Sequence, residues 1–253
     1  MSNNNRGLLY LIGLGPGGRA QRTHQADLAL DQSEVILGYR RYLALLGPRP
    51  PEQQLIASEL TEEMHRAEQA VALAASGKVV ALVSSGDVGI YGMAGVVFEE
   101  LRRRGWQPGE SPDIAVIPGV SAAQAAAALL GAPLMHDFAC VSLSDLLTPW
   151  ELIARRLAAA AQADFVICLY NPASQKRTWQ LTEAHRILLR HKDPRTPVGI
   201  VTNAYRQEQR IVLTSLGKML EHPVNMFTTI IIGNAETFVL GDRMITPRGY
   251  PKG

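Results

Sequence analysis

Short apolar runs alternate along the chain with segments whose apolar residues recur at helical spacing. Such runs are typical of buried strands, and the predicted strands are Leu8–Leu14, Val35–Leu37, Val79–Val83, Asp113–Ile117, Phe165–Tyr170, Val198–Thr202, Arg210–Thr214 and Thr228–Gly233. The segments between them predict helices over Thr23–Leu30, Gly92–Arg104, Ala122–Leu130, Pro149–Ala161, Thr178–His191 and Leu216–Leu220. This alternation of strands and helices predicts an α/β fold.

A further helix is predicted between Thr61 and Gly77. Thr61 is a candidate N-cap, and Gly77 can end the helix in the left-handed conformation that other residues avoid. The buried face of this helix is expected to carry Met64, Ala67, Val71 and Ala74, which recur at helical spacing.

Three glycine-rich loops each follow a predicted strand. They are Leu11–Gly18 (LIGLGPGG), Ser84–Gly95 (SSGDVGIYGMAG) and Val116–Ala122 (VIPGVSA). Glycine lets the backbone approach a ligand closely, because it has no Cβ. Three such loops predict a cofactor site made mainly of backbone groups, at the carboxyl ends of a parallel sheet.

The first loop, Gly13–Gly18, is close to the G-x-G-x-x-G pattern of dinucleotide-binding proteins. In that class an acidic residue about twenty positions further on binds the ribose. Glu34 is near that place, but it precedes a short strand instead of ending one. No P-loop pattern occurs. An NAD-dependent oxidoreductase is therefore an alternative that rests on the first loop alone.

The 253 residues can form one large or two modest domains, and the domain boundary is predicted near Pro118–Gly119. The formal net charge of +2 is too small to indicate nucleic acid as a partner. No apolar run is long enough to cross a bilayer, and the polar start of the chain does not resemble a secretory signal. We therefore expect a cytoplasmic protein with no membrane partner.

Both cysteines, Cys140 and Cys168, lie inside apolar runs. They are expected to be buried, reduced thiols. Their spacing fits neither a zinc site nor a disulfide framework, so no metal site in the protein is predicted.

The glycine motifs carry a family resemblance. Gly13–Gly17 (GLGPG), Ser85–Gly92 (SGDVGIYG) and Ile117–Ala122 (IPGVSA) come in the order and spacing of the class III, tetrapyrrole-type methyltransferases. The likeness extends through Tyr170–Pro172 to Thr229–Gly233, and thus over essentially the whole chain. The chain is therefore identified as resembling this family.

The resemblance implies a fold, a methyl donor and an assembly. The family uses S-adenosylmethionine, with S-adenosylhomocysteine as the product, and its cofactor lies in a cleft between two α/β domains. These domains would span residues 1–118 and 119–253. Family members are commonly homodimers that act on a small-molecule tetrapyrrole, without nucleic acid or membrane as partners.

Three strings resemble one branch of the family more closely: Ser84–Ala94 (SSGDVGIYGMA), His136–Asp145 (HDFACVSLSD) and Tyr170–Arg177 (YNPASQKR). Members of this branch methylate carbon 17 of precorrin-3B, with ring contraction to precorrin-4, in cobalamin biosynthesis. Cobalt-free and cobalt-containing substrates are both open, because the enzymes that use them are closely similar.

The resemblance also implies which residues contact the cofactor: Pro16, Gly86, Asp87, Val88, Ile90, Ser121, Ala122, Asn171 and Ala204. The family usually has proline where this chain has Val88, and valine can serve if the contact is made by the backbone. Asp87 has an alternative role as a turn residue that bonds its own backbone.

Ring contraction needs proton transfers, so a general acid or base is expected. The candidates are His136, Asp137, Ser142, Ser144 and Asp145. The competing interpretation is a capped loop turn for the first two and a helix start for the others. Basic residues after predicted strands could bind the carboxylates of the substrate, namely Lys176, Arg177, Arg206 and Arg210.

Three alternatives to this branch stay open. Another class III enzyme could act on ribosomal RNA or on the diphthamide precursor of a protein. An RNA substrate would favour a basic protein, and the low net charge argues mildly against it. A non-catalytic module could sense adenosyl ligands. The NAD-dependent oxidoreductase is the third.

Overall fold

The computed structural model describes residues 6–174 and 177–251. Within it the chain forms two compact units that meet in sequence between Ser121 and Ala122. Each unit is built on its own five-stranded sheet. The predicted α/β class is confirmed in both units.

The sheet of the first unit contains β1 (Leu8–Gly13), β2 (Val35–Tyr39), β3 (Gln54–Ser58), β4 (Val79–Ser84) and β5 (Asp113–Ile117). The strand order is β3-β2-β4-β1-β5, and every neighbouring pair is parallel. The three strands that precede the glycine loops, β4, β1 and β5, are therefore side by side. Their carboxyl ends meet at one edge, as the loop pattern predicted.

Helices cover both faces of this sheet: α1 (His24–Gln32), α2 (Arg40–Leu43), α3 (Glu63–Ala75) and α4 (Ala94–Arg103). Alternate strand residues point to opposite faces. Leu82 therefore packs in the core cluster that includes α3 and α4, and Val83 packs in the cluster that includes α1. A parallel sheet covered on both faces explains why β2 and β4 read as continuous apolar runs.

The start of α3 differs from the sequence prediction. Glu62 is the N-cap, and Thr61 has a φ of +75°, which is left-handed and not the extended conformation of an N-cap. Met64 is half exposed, because the buried face of the helix begins only after its first turn. Ala67, Val71 and Ala74 are buried as predicted. Gly77 has a φ of +96°, which confirms the predicted helix end.

The second unit has two sheets. Its strands are β6 (Gly131–Ala132), β7 (Phe138–Ser142), β8 (Val166–Tyr170), β9 (Pro197–Thr202), β10 (Arg210–Ser215), β11 (Thr228–Ile232), β12 (Phe238–Leu240) and β13 (Arg243–Ile245). The larger sheet has the order β10-β9-β11-β8-β7, and the smaller has β12-β13-β6. One face of the larger sheet packs with α6 (Trp150–Gln162) and α7 (Trp179–Leu188), and the other with α5 (Ala122–Leu130).

Strand direction decides which loops of the second unit lie together. β7 is parallel to β8, whereas β11 is antiparallel to both β8 and β9. β8 and β9 therefore run the same way, and β10 runs back beside β9. We call the edge where β7, β8 and β9 end and where β10 and β11 begin the upper edge of the second unit. It is marked by Ser142, Tyr170, Thr202, Arg210 and Thr228.

Within the described residues, none of the helices combines the length and the apolar character that a membrane crossing requires.

Candidate functional site

The first two glycine loops are joined by a reciprocal backbone bridge. The N–H of Gly15 donates to the carbonyl of Gly86 at 3.0 Å, and the N–H of Gly86 donates to the carbonyl of Gly15 at 2.7 Å. Both residues have a positive φ, +73° and +68°, which favours glycine. The bridge therefore holds the two loops together, although about seventy residues separate them in the chain.

The third loop packs directly against the other two. A Cβ on Gly119 would clash with the carbonyl oxygen of Gly86 and would lie 2.7 Å from the carbonyl carbon of Gly13. A Cβ on Gly13 would in turn lie 2.6 Å from the nitrogen of Gly119. The three loops thus form a cradle of backbone groups that side chains would fill. This cradle fits a cofactor with an amino acid end, which needs main-chain donors and acceptors.

Asp87 connects two of these loops through its carboxylate. Oδ1 accepts a hydrogen bond from the N–H of Gly89 at 2.8 Å, and Oδ2 accepts one from the N–H of Gly119 at 3.0 Å. The first bond is the turn role that the sequence left open. The second fixes the third loop to the second, so Asp87 shapes the cradle.

The residues after Asp87 differ in what they expose. The side chain of Val88 is fully buried in the core, so only its backbone can contact a ligand. Its carbonyl accepts a hydrogen bond from the N–H of Ala94, where α4 begins, two residues later than predicted. A Cβ on Gly92 would lie 2.5 Å from that carbonyl oxygen, so the turn requires glycine at this position. Ile90 is 42% exposed.

The other predicted cofactor residues are divided between the units. Pro16 and Ser121 are buried in the first unit. Ala122, Asn171 and Ala204 are half-buried in the second, where Asn171 and Ala204 follow strands that end at the upper edge.

A hydrogen-bond network joins the ends of β7 and β8. The hydroxyl oxygen of Ser142 accepts hydrogen bonds from the side-chain amide of Asn171 at 3.0 Å and from the N–H of Ser144 at 3.2 Å. Asn171 has a φ of +50°, an unusual conformation that its short polar side chain tolerates. Left-handed residues held this way are common at functional sites.

Asp145, three residues after β7, is held by a residue that the sequence analysis did not single out. The side-chain N–H₂ of Gln180, in the first turn of α7, lies 3.0 Å from each carboxylate oxygen of Asp145. Gln180 is buried. The available signal was its place on the apolar face of α7, one turn before Ala184, where a polar residue is unexpected.

Arg177 ties the same loops together. Its Nη1 donates to the carbonyl of Leu143 at 3.0 Å and to the carbonyl of Asn171 at 2.9 Å. Burial lowers the pKa of the Arg177 guanidinium, and the carboxylate of Asp145 partly opposes that shift. Arg177 thus links the loops that follow β7 and β8 at the upper edge. Lys176, its predicted companion, lies outside the described residues.

The structure separates the five catalytic candidates into two groups. His136 and Asp137 precede β7, whereas Ser142, Ser144 and Asp145 end or follow it. Five residues of extended strand place the groups about 16 Å apart. The backbone N–H of Asp137 donates to Nδ1 of His136 at 2.9 Å, and both side chains are exposed. This matches the loop-turn interpretation of the pair.

The loop between β9 and β10 adds strained backbone and positive charge to the upper edge. Asn203, Tyr205 and Glu208 all have positive φ values, between +53° and +60°. The guanidinium of Arg206 lies 5.9 Å from the centre of the Phe227 ring. Arg210 is exposed at the first position of β10. Across the described ranges, no group of three or more His, Cys, Asp or Glu side chains could hold a metal ion.

Two α/β units, a backbone cradle of three glycine loops and a polar sheet edge define a class of methyltransferase. The family model of the Tetrapyrrole (Corrin/Porphyrin) Methylases matches residues 8–220, and the chain belongs to this family. The predicted family, methyltransferase activity and methyl donor, S-adenosylmethionine, are confirmed. The family match therefore replaces the NAD-dependent oxidoreductase as the interpretation of the first glycine loop.

Two curated relatives cover nearly the whole chain. The cobalt-factor III methyltransferase of Priestia megaterium is 50% identical over 98% of this chain, which spans only 46% of that longer protein. The precorrin-3B C(17)-methyltransferase of Sinorhizobium sp is 42% identical over 96% of this chain and 97% of its own length.

Solved structures agree with these relatives. The methyltransferase CobJ superposes with a TM-score of 0.90 at 36% identity, covering 95% of this chain and 100% of its own. Uroporphyrin-III C-methyl transferase from Thermus thermophilus, complexed with S-adenyl homocysteine, has a TM-score of 0.65 at 26% identity. The match covers 90% of this chain and 92% of that chain.

Proposed function

We propose that this chain transfers a methyl group from S-adenosylmethionine to carbon 17 of precorrin-3B, with ring contraction to precorrin-4, or acts on the cobalt-containing counterpart. The observation that carries the proposal is the high identity, over nearly the whole chain, to relatives named for these two substrates. The polar network at the upper edge supports it, because Ser142, Asp145, Asn171 and Arg177 come from two of the three strings that resemble this branch.

The cradle of the first unit would bind and orient the methyl donor. S-adenosylmethionine supplies an activated methyl group when bound, so the protein needs little acid–base chemistry for the transfer itself. Alignment in a water-excluding site supplies most of the rate. The proposed contacts of the cradle are Pro16, Gly86, Asp87, Val88, Ile90 and Ser121, and the resemblance adds Ala122, Asn171 and Ala204 of the second unit.

The upper edge of the second unit would bind the substrate. Arg206 and Arg210 lie at this edge, and each guanidinium can pair with a carboxylate through two parallel hydrogen bonds. Arg177 donates to two backbone carbonyls and holds the loops that would present the macrocycle.

Asp145 is the proposed general acid or base for ring contraction. Its carboxylate is half-buried at the upper edge, and its orientation is set by Gln180. Ser144 is its neighbour in the chain, and Ser142 holds the N–H of Ser144. His136 and Asp137 lie beyond the other end of β7, so the proposal assigns the proton transfer to the group at the upper edge.

One incubation tests the function. The protein is mixed with labelled S-adenosylmethionine and either precorrin-3B or its cobalt counterpart, and the products are read by mass spectrometry and absorbance. One added methyl group with the spectrum of a contracted ring is expected for one substrate. Tight cofactor binding without methylation of either would contradict the proposed substrate and leave the family assignment intact.

We also propose a homodimer in the cytoplasm. The homodimer rests on the resemblance, and light scattering that gives the mass of one chain would refute it. The location rests on the expectation that Cys140 and Cys168 are reduced thiols. Cys168 is buried as expected, whereas Cys140 is only half-buried.

A further inference from the structure

Gln180 combines burial with an incomplete set of hydrogen bonds. It is 2% exposed, and its side-chain N–H₂ lies 3.0 Å from both Oδ1 and Oδ2 of Asp145. Its carbonyl oxygen, Oε1, is buried and finds no hydrogen-bond partner among the described residues. A buried carbonyl without a partner is destabilising, so the amide is not explained by the stability of α7.

The position of Gln180 on the helix supports the same conclusion. It lies on the face that carries Ala184 and Ile187 into the core. An apolar side chain of similar size would fill this place without leaving a polar atom unsatisfied. What the amide alone provides is a donor directed at Asp145. Neutral donors of this kind orient a carboxylate, and the bond is strengthened by the charge of the acceptor.

The neighbouring contacts restrict Asp145 from its other sides. The backbone before it is fixed where Leu143 donates to the carbonyl of Tyr170 at 2.9 Å, and Leu143 is itself fully buried. Arg177 holds the carbonyl of Leu143. The carboxylate therefore has a fixed backbone, a cation nearby and, among the described residues, a single hydrogen-bond donor, Gln180, shared by both of its oxygens.

We propose that Gln180 is a positioning residue that holds the Asp145 carboxylate in the geometry needed for proton transfer during ring contraction. This inference rests on the proposed function of the site. In this proposal Gln180 acts through Asp145, the residue to which its side-chain amide donates.

The test is a double-mutant cycle on the full-length protein with Gln180→Met and Asp145→Asn. Methionine keeps the length and helix propensity of glutamine but removes the donor. We expect Gln180→Met to lower kcat about 10-fold or more while the Kd for S-adenosylmethionine stays within about 2-fold. In the Asp145→Asn background the same change should alter kcat by less than about 2-fold, because coupled residues are not additive. Gln180→Leu is the second variant, should the first not fold.

Leu188→Ala is the matched control on the same helix. Leu188 is fully buried at the far end of α7, and its truncation should lower Tm without changing kcat. If the wild type is active, the proposed function stands and two results would overturn the inference. One is an unchanged kcat in Gln180→Met. The other is a double variant whose loss of kcat is the product of the two single losses. Wild type that methylates neither tetrapyrrole would refute the function, and the role of Gln180 with it.

Discussion

The carboxyl ends of the strands are built from backbone in the first unit and from side chains in the second. Gly15, Gly86 and Gly119 approach one another through main-chain atoms. At the upper edge, Asp145 is held by Gln180 in a network of side chains. This contrast indicates that a cofactor common to a family can be recognised by shape and main-chain groups, whereas the chemistry of one substrate needs particular functional groups.

The largest expected effect is Gly119→Ala. The new Cβ would clash with Gly86 and Gly13, so the three loops must separate. We expect affinity for S-adenosylmethionine to fall about 100-fold or more, measured by calorimetry. Gly18→Ala is the control, because Gly18 has a negative φ and its Cβ would meet nothing within 4 Å. Unchanged binding in Gly119→Ala would contradict a backbone cradle.

Asp145→Asn should lower activity through the side chains at the upper edge of the second unit. The loss of a general acid or base predicts a decrease in kcat of about 10²–10⁴-fold, with cofactor affinity unchanged. Asp137→Asn and His136→Ala, at the other end of β7, should keep near wild-type turnover. A large loss in His136→Ala together with an active Asp145→Asn would transfer the catalytic role to the other end of the strand.

Asp87→Ala removes the side chain that joins two loops of the otherwise backbone-built cradle. It leaves the N–H groups of Gly89 and Gly119 without their carboxylate acceptor. Hydrogen bonds to charged groups contribute about 1.5–3 kcal/mol, so cofactor affinity should fall about 10-fold or more. Asp113→Ala, at the opposite end of β5, is the control. Equal affinities in the two variants would show that the loops hold their shape without Asp87.

Acid should weaken the first unit through Glu100. Hydrogen bonds from Arg103 hold the pKa of the buried Glu100 carboxyl below its usual range, against burial, with Arg104 assisting. A lowered folded-state pKa stabilises the fold above the unfolded pKa, and this stability is lost as pH falls through the folded value. Tm should therefore fall as the pH is lowered below the ordinary carboxyl pKa of 4.5. Glu100→Gln should show a smaller slope over that range, and an equal slope would exclude this group as the cause.

Arg210→Ala should have the smallest effect. Arg210 is exposed at the upper edge, and exposed ion pairs contribute about 0.2–1 kcal/mol. KM for the tetrapyrrole should rise about 2- to 5-fold, with kcat unchanged, and the effect should shrink in high salt. Arg156→Ala on α6 is a surface control. A change in kcat would place Arg210 closer to the chemistry than the proposal does.

Local patterns were sufficient for the three glycine loops of the first unit and insufficient for the upper edge of the second. Glycine loops after apolar strands are local signals, and the strand order brought all three together. β7 was not predicted, because Phe138–Ser142 is mostly half-exposed and its apolar residues do not alternate with polar ones. Without that strand, the separation between His136 and Asp145 could not be predicted. Gln180 was missed because its contact with Asp145 spans thirty-five residues of sequence and depends on how α7 packs. The edge strands β3 and β12 are largely exposed, so they carry little apolar pattern.

The reciprocal bridge between Gly15 and Gly86 has a consequence for loop exchange between relatives. Each loop donates one of the two hydrogen bonds of the bridge and accepts the other, so the shape of each depends on its partner. If the first loop alone were moved into a relative, it would have to pair with that relative's own second loop, even where the sequences of the two first loops agree closely. We therefore expect the two segments, with the one after β5, to keep their shape only when they are transplanted together.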